Sequence, residues 1–257
     1  MQAIQRQQKI LARVRREQSV PVKALIRDLH FSPATVRRDL SALEKTGKIL
    51  RTHGAVLDPQ VITGEPSFSA KQARVPEVKK KIGRMLAAEI PAGSHVYLDA
   101  GSTCLEVGMS LLARGDCPLY TNSVPLLYSA GDYPQKITGV GGTLRNLTGA
   151  LVGAPALALI RQLQFDVVVL GASGLSPDRG AFTTELSEAA VKQAAAASGK
   201  RILLAAVAEK IHSSAPVCFI PWEKVDLWFT DSAEGLELSP ELRGKVRSCE
   251  KTEKESV

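Results

Sequence analysis

Ser32-Pro33-Ala34-Thr35-Val36-Arg37-Arg38-Asp39-Leu40-Ser41-Ala42-Leu43 decides how the first quarter of this chain is read. Ser32 can accept from free backbone amides, and Pro33 at the first helical position loses no internal hydrogen bond, so a helix starts here. Val36, Leu40 and Leu43 recur at i, i+4 and i+7, which leaves Thr35, Arg37, Arg38 and Ser41 off the buried stripe. Gly47 ends it. A helix with its apolar side fixed against neighbours and Thr and Arg on its free side suits insertion into a DNA major groove.

The flanking residues supply those neighbours. Ile4, Ile10, Leu11 and Val14 can share one helical face, and Val22, Leu25, Ile26 and Leu29 turn inward on a short second helix after Ser19-Val20-Pro21. On the other side, Lys48 through Val56 reads as a β-hairpin or wing turning near Gly54, with Arg51 and His53 placed to reach phosphate or a minor groove. Charge agrees. Residues 1–57 hold twelve Lys or Arg against four acids, a balance of +8, whereas the other 200 residues hold 21 basic against 22 acidic, a balance of −1. Concentrated basic charge is the footprint of a polyanion partner, against the plainer alternative of a solvated basic face. Thr35 and Arg38 are assigned to direct base contact, with Ser32 at the helix start and Arg37 and Lys48 on phosphate. The alternative for Arg37 is an ion pair with Glu44, and spacing does not settle which arginine reads a base.

Residues 58–75, with Pro59, Gly64 and Pro66, read as a linker. From residue 76 to 234 the pattern is α/β. An amphipathic helix (Val78, Ile82, Met85, Leu86, Ile90) precedes short apolar runs, including Val96-Tyr97-Leu98, Val167 to Leu170 and Ile202 to Ala205, that read as buried parallel strands. Segments such as Leu105 to Arg114 and Glu185 to Ser198 read as helices between them, and residues 235–257 as a C-terminal helix and tail. Ligands of such folds sit at the carboxyl ends of strands. Four strand-end loops carry polar chemistry. Asp99-Ala100-Gly101-Ser102-Thr103 is a candidate phosphate cradle at a helix N-terminus, its bland alternative an ordinary capped loop. Thr121-Asn122-Ser123 offers donors for sugar hydroxyls, Gly141-Gly142 permits close backbone approach, and Gly171-Ala172-Ser173-Gly174 follows the Val167 run. Lys210, beyond the Ile202 strand, can add positive charge. Glu185 and Lys192 can frame the site or form a surface charge pair.

Thr35 to Leu40, Leu43-Glu44, Gly47 and Arg51-Thr52-His53-Gly54-Ala55 resemble the DeoR family of bacterial repressors. The resemblance continues through Leu98 to Thr103, Thr121 to Ser123, Gly141-Gly142, the Asp166 to Gly174 run, Glu185 and Lys210. It implies a winged helix-turn-helix joined to a sensor domain similar to sugar-phosphate isomerases, binding phosphorylated sugars or polyols and regulating carbohydrate catabolism. Two positions depart from it. Ala55 stands where a second glycine is usual, and Val207 stands where an acid usually precedes the lysine by three positions, which removes an acceptor for a sugar hydroxyl.

The expected function is therefore a ligand-controlled repressor of double-stranded operator DNA, not an enzyme, acting as a homodimer or homotetramer so that paired half-sites are read. The rival is a sugar-phosphate isomerase with a DNA-binding appendage, for which Asp99 and Glu185 are the candidate proton-moving carboxylates. A third reading is an architectural DNA binder. Cys104, Cys117, Cys218 and Cys249 show neither CxxC nor metal-ligand spacing, so no metal, no cofactor and a reduced, cytoplasmic setting are expected. No apolar run approaches the roughly 20 residues of a membrane span.

Overall fold

The computed structural model of the protein describes residues 3–46, 48–52, 54–57, 65–213 and 215–249. The chain forms two units that meet between Arg74 and Val75.

The first unit holds α1 (Ala3–Glu17), β1 (Ser19–Pro21), α2 (Val22–Leu29), α3 (Pro33–Lys45), β2 (Leu50–Arg51), β3 (Ala55–Leu57) and α4 (Phe68–Ala73). The Ser32 hydroxyl caps α3 by accepting from the Thr35 amide at 3.2 Å, with Pro33 in the first turn. Val36, Leu40 and Leu43 of α3 are buried against Ile10 and Val14 of α1, Leu25 of α2, and Val20, Ile49 and Val56. The wing is more than a hairpin. Ser19-Val20-Pro21, expected only to interrupt the helices, pairs antiparallel with β3 and completes a three-stranded sheet in the order β1-β3-β2.

The expected linker is corrected in its second half. Residues 65–73 pack into the first unit: Glu65 and Ser67 are buried, and the Ser67 hydroxyl donates to the Arg15 carbonyl at 3.2 Å. That hydroxyl also caps α4, accepting from the Ala70 amide at 3.2 Å. A six-residue helix spans fewer than two turns, too few for an apolar repeat to be visible in sequence.

The second unit begins with α5 (Pro76–Glu89), β4 (Val96–Leu98), α6 (Ser102–Arg114), β5 (Leu119–Thr121), α7 (Val124–Ser129), β6 (Ile137–Gly139), β7 (Thr143–Arg145) and β8 (Ala150–Val152). It continues with α8 (Ala154–Ile160), β9 (Phe165–Leu170), β10 (Gly174–Ser176), β11 (Gly180–Thr183), α9 (Leu186–Ala197) and β12 (Gly199–Ala205). It ends with β13 (Val217–Ile220), β14 (Leu227–Thr230), α10 (Pro240–Lys245) and β15 (Val246–Ser248). Seven strands form one sheet in the order β15-β14-β12-β9-β4-β5-β6, every neighbouring pair parallel. Its central strands are apolar on both faces, as a sheet covered on both sides requires: Val96, Tyr97 and Leu98 of β4 and Val167 to Leu170 of β9 are all buried. A three-stranded antiparallel sheet (β10-β11-β13) and the β7–β8 hairpin are added to it. The C-terminal segment is also corrected: through Ser248 it is no tail, since β15 pairs Trp228 with Val246 and Thr230 with Ser248. No helix among the described residues is long and apolar enough to cross a membrane.

Candidate functional site

On the first unit, the inward packing of Val36, Leu40 and Leu43 turns Arg37 and Arg38 outward. Both are exposed, and neither has a hydrogen bond or ion pair among the described residues. Lys48 is likewise exposed. The Thr35 hydroxyl shares a hydrogen bond with that of Ser32 at 2.8 Å, so the two hydroxyls at the start of α3 act as a linked pair. Arg51 leans back onto α3, donating to the Ser41 hydroxyl at 3.3 Å and lying 3.7 Å from Glu44. The acid expected as the alternative partner of Arg37 is thus taken by Arg51, and Arg37 stays available. His53, and Gly47, expected to end the helix, lie outside the described residues.

On the second unit, β9, β4, β5 and β6 are consecutive in the sheet, so the loops after them emerge side by side from its carboxyl edge. The fifth strand end, after β12, carries Lys210 in a turn of 3-10 helix over Ala208–His212. The expected loop residues and Lys210 therefore share one edge, whereas Glu185 follows β11 of the antiparallel sheet, and they do different work.

Gly101 is the N-cap of α6, which starts at Ser102, three residues earlier than expected, and no side chain caps its first turn. The Ser102 and Thr103 hydroxyls sit at that turn without a hydrogen-bond partner among the described residues. Uncapped amides, two hydroxyls and the positive end of a 13-residue helix dipole are the elements of an anion cradle. Ser173, half-buried, offers a third hydroxyl from the neighbouring loop, whose backbone is pinned by its amide to the Phe182 carbonyl at 2.9 Å.

Thr121, Asn122 and Ser123, expected to offer donors to a sugar, are each engaged within the fold: Thr121 through both sides of its hydroxyl, Asn122 at both ends of its amide, and Ser123 as an acceptor. The Thr121 hydroxyl donates to the Leu98 carbonyl at 2.6 Å and accepts from the Ser123 amide at 3.0 Å. Asn122 accepts from the Ala100 amide at 2.9 Å and donates to the Leu151 carbonyl at 3.3 Å. Ser123 caps α7. All three are buried, and their polar atoms shape the cradle loop from below. Gly142 is equally structural: its φ is +119°, and a Cβ there would lie 2.5 Å from the Val152 carbonyl oxygen. Gly141, exposed at φ +71°, has open space beside it.

Asp99 lies beneath the cradle, accepting from the Gly171 amide at 3.0 Å and from the Lys192 ammonium, which also donates to the Gly171 carbonyl at 3.0 Å. Burial pushes the Asp99 carboxyl up against the pull of Lys192 and the Gly171 N–H. Burial pulls Lys192 down, but the charges of Asp99 and Glu188 outweigh it and leave the ammonium raised. Lys192 is thus no surface charge pairing with Glu185. Glu185 is the N-cap of α9, its carboxylate accepting from the Glu188 amide at 3.1 Å and from the Ser187 hydroxyl. Burial pushes that carboxyl up, yet these hydrogen bonds hold it below its usual range. Both carboxylates of the isomerase reading are therefore committed, one to a buried ammonium and one to a helix cap.

Sequence reasoning missed Glu188. It is buried one turn before Lys192 and accepts from the hydroxyls of Thr148 and Thr183 and from Arg145, the last at 3.1 Å. Two charged residues four apart on an alanine-rich helix were the available signal. Sequence reasoning also missed Asp231, at the end of β14, which accepts from the Ala208 amide at 2.7 Å. Val207 itself is buried, and the Asp231 carboxylate bonds the backbone next to it. Among the described residues no three His, Cys, Asp or Glu gather to hold a metal.

Comparison with known proteins agrees with both halves. A family model described as the DeoR-like helix-turn-helix domain matches residues 6–59, and one described as the DeoR C terminal sensor domain matches residues 74–232. The chain is 30% identical to the HTH-type transcriptional regulator GlpR of Haloferax volcanii, over 95% of this chain and 94% of that one. It is 29% identical to the glycerol-3-phosphate regulon repressor of Escherichia coli, over 90% and 92%. These relatives are named as regulators and repressors, not as enzymes. Among solved structures, ribose 5-phosphate isomerase A of Neisseria gonorrhoeae is similar over 52% of each chain at 12% identity, with a TM-score of 0.39.

Proposed function

The chain belongs to the DeoR family of DNA-binding transcriptional regulators, and from that premise we propose that it represses carbohydrate-catabolism genes under control of a phosphorylated sugar or polyol. The DNA is read by α3, with Arg38 and Thr35 on base edges and Arg37 and Lys48 on phosphate. The effector's phosphate sits at the uncapped start of α6, on the amides and hydroxyls of Ser102 and Thr103, with Lys210 and Ser173 on adjacent strand ends. The observation that carries this reading is the contrast along one sheet edge: the Thr121 hydroxyl, the Asn122 amide and the Asp99 carboxylate are engaged within the fold, whereas the hydroxyls of Ser102 and Thr103 have no hydrogen-bond partner among the described residues.

A ligand shifts DNA binding only by its difference in affinity for the two states of the protein, so two measurements test the proposal together. A thermal-shift screen of phosphorylated sugars and polyols, glycerol 3-phosphate among them because a relative carries that name, finds compounds that raise the melting point. A duplex selected from a random pool by the protein is then titrated with and without each hit. A hit that changes DNA affinity is the expected result; hits that leave it unchanged would point to a DNA binder without an effector. Paired half-sites in the selected duplex, and a dimer or tetramer in solution, belong to the same reading.

A further inference from the structure

We infer that Arg6 is a positioning residue for DNA reading: through Asp39 it sets the rotation of α3 about its own axis, and with it the bases that Thr35 and Arg38 can address while Arg37 holds phosphate. This rests on α3 being the base-reading helix. Asp39 belongs to the same motif as those arginines but faces the other way, and it is buried. Arg6, 33 residues earlier on α1, grips it with both arms of the guanidinium, Nε on Oδ2 and Nη2 on Oδ1 at 3.0 Å. Gln7 donates to Oδ1 at 3.3 Å. The Arg6 guanidinium also lies 4.9 Å from the centre of the Phe31 ring, in the turn that leads into α3. One side chain thus holds the middle of the helix and its entry.

Apolar packing alone does not do this. Val36, Leu40 and Leu43 are held by a non-directional force that tolerates small rotations, whereas a two-armed guanidinium–carboxylate contact has a fixed plane. A rotation of about 10° moves a side chain at a helix radius of roughly 5–6 Å by about 1 Å, which exceeds the distance window of a good hydrogen bond. A buried ion pair adds little net stability over apolar residues of the same shape, and fixing register is its best-attested use.

The test compares wild type with Arg6→Lys, Asp39→Asn and the double variant in the full chain. The probes are the duplex selected from a random pool by wild type and a scrambled duplex of equal length. Arg6→Lys keeps the charge and loses the fork, so it folds and melts near wild type. We expect its preference for the selected duplex to fall roughly 5- to 100-fold, the scale of one good base contact. Affinity for the scrambled duplex stays unchanged, because phosphate contacts do not depend on rotation to that degree. The double variant falls no further than the worse single one. Unchanged preference in folded Arg6→Lys, equal loss on both duplexes, or losses that multiply in the double variant each overturn the inference. Failure of wild type to select any duplex overturns instead the DNA reading beneath it.

Discussion

At the scale of single residues, neighbours in sequence divide between holding the fold and facing out of it. Arg38 and Asp39 are adjacent, one exposed with no side-chain partner among the described residues and the other buried under Arg6. Arg38→Ala should therefore leave folding intact and relax base preference at one position of each half-site by about 1–3 kcal/mol, read by titrating duplexes substituted at each position. Equal weakening on selected and random DNA would reassign Arg38 to phosphate. The same division holds in the sensor unit, where the Ser102 hydroxyl has no partner among the described residues and the Asn122 amide is engaged at both its oxygen and its nitrogen. Ser102→Glu places a carboxylate at a helix start, where the dipole favours it and offsets part of the cost of a longer side chain at a largely buried position, so the variant should fold with a modestly lower unliganded melting point. A phosphorylated effector, however, meets a negative charge in its cradle. The expected result is a thermal shift with the best wild-type hit that disappears in the variant; a retained shift would move the phosphate site elsewhere.

At the scale of elements, what could be read from sequence tracks how local the forces are. The start of α3, its stripe and the strands at Val96 and Val167 rest on residues within a few positions of one another, and they are where the pattern places them. The polar floor of the sensor site was not legible, because its partners lie far apart in the chain: Lys192 and Asp99 are 93 positions apart, Glu188 and Thr148 are 40. No periodicity joins them, and only the tertiary fold, the parallel sheet for Asp99 and the β7–β8 hairpin for Thr148, brings them to α9. That floor makes α9 the element on which the edge depends. Lys192→Met leaves Asp99 buried without its cation, a loss of about 3–5 kcal/mol near neutral pH. The sign of its pH dependence follows from Asp99. Burial then holds its folded pKa well above the unfolded value, so the stability its protonated form contributes is present at low pH and lost as pH rises through the folded pKa. The gap between variant and wild type should widen from pH 4 to 8 in denaturant titrations, and Asp99→Asn in the same background should flatten it. A second element carries strain. Val75, the residue before α5, is β-branched, precedes a proline and sits at φ +43° with ψ 54°, a region costing such a residue about 1–3 kcal/mol. Val75→Gly should raise the melting point despite glycine's greater unfolded-state entropy; a lower one would mean that the valine side chain contributes more than the strain costs.

At the scale of the whole molecule, the charge division and the two units fit the proposed arrangement, in which a basic unit meets DNA and a near-neutral unit meets a metabolite. If effector and operator each bind one state of the protein better, linkage fixes their relation without reference to the route between them. An effector that weakens operator binding by some factor must itself be bound more weakly by that same factor once the operator is in place. For regulatory proteins the factor is about 5- to 150-fold, large enough to measure from both directions. Fluorescence titration of DNA at saturating effector gives it one way, and calorimetric titration of effector into the preformed complex gives it the other. The operator side will also depend steeply on salt, because the basic first unit releases counterions from the duplex, while the effector side, one phosphate in a helix cradle, will depend on it far less. The two factors should agree at every salt concentration even as both affinities change. Disagreement would mean that the metabolite and the DNA compete for one surface or that binding changes the assembly state, and the two-unit regulator would have to be replaced by one of those schemes.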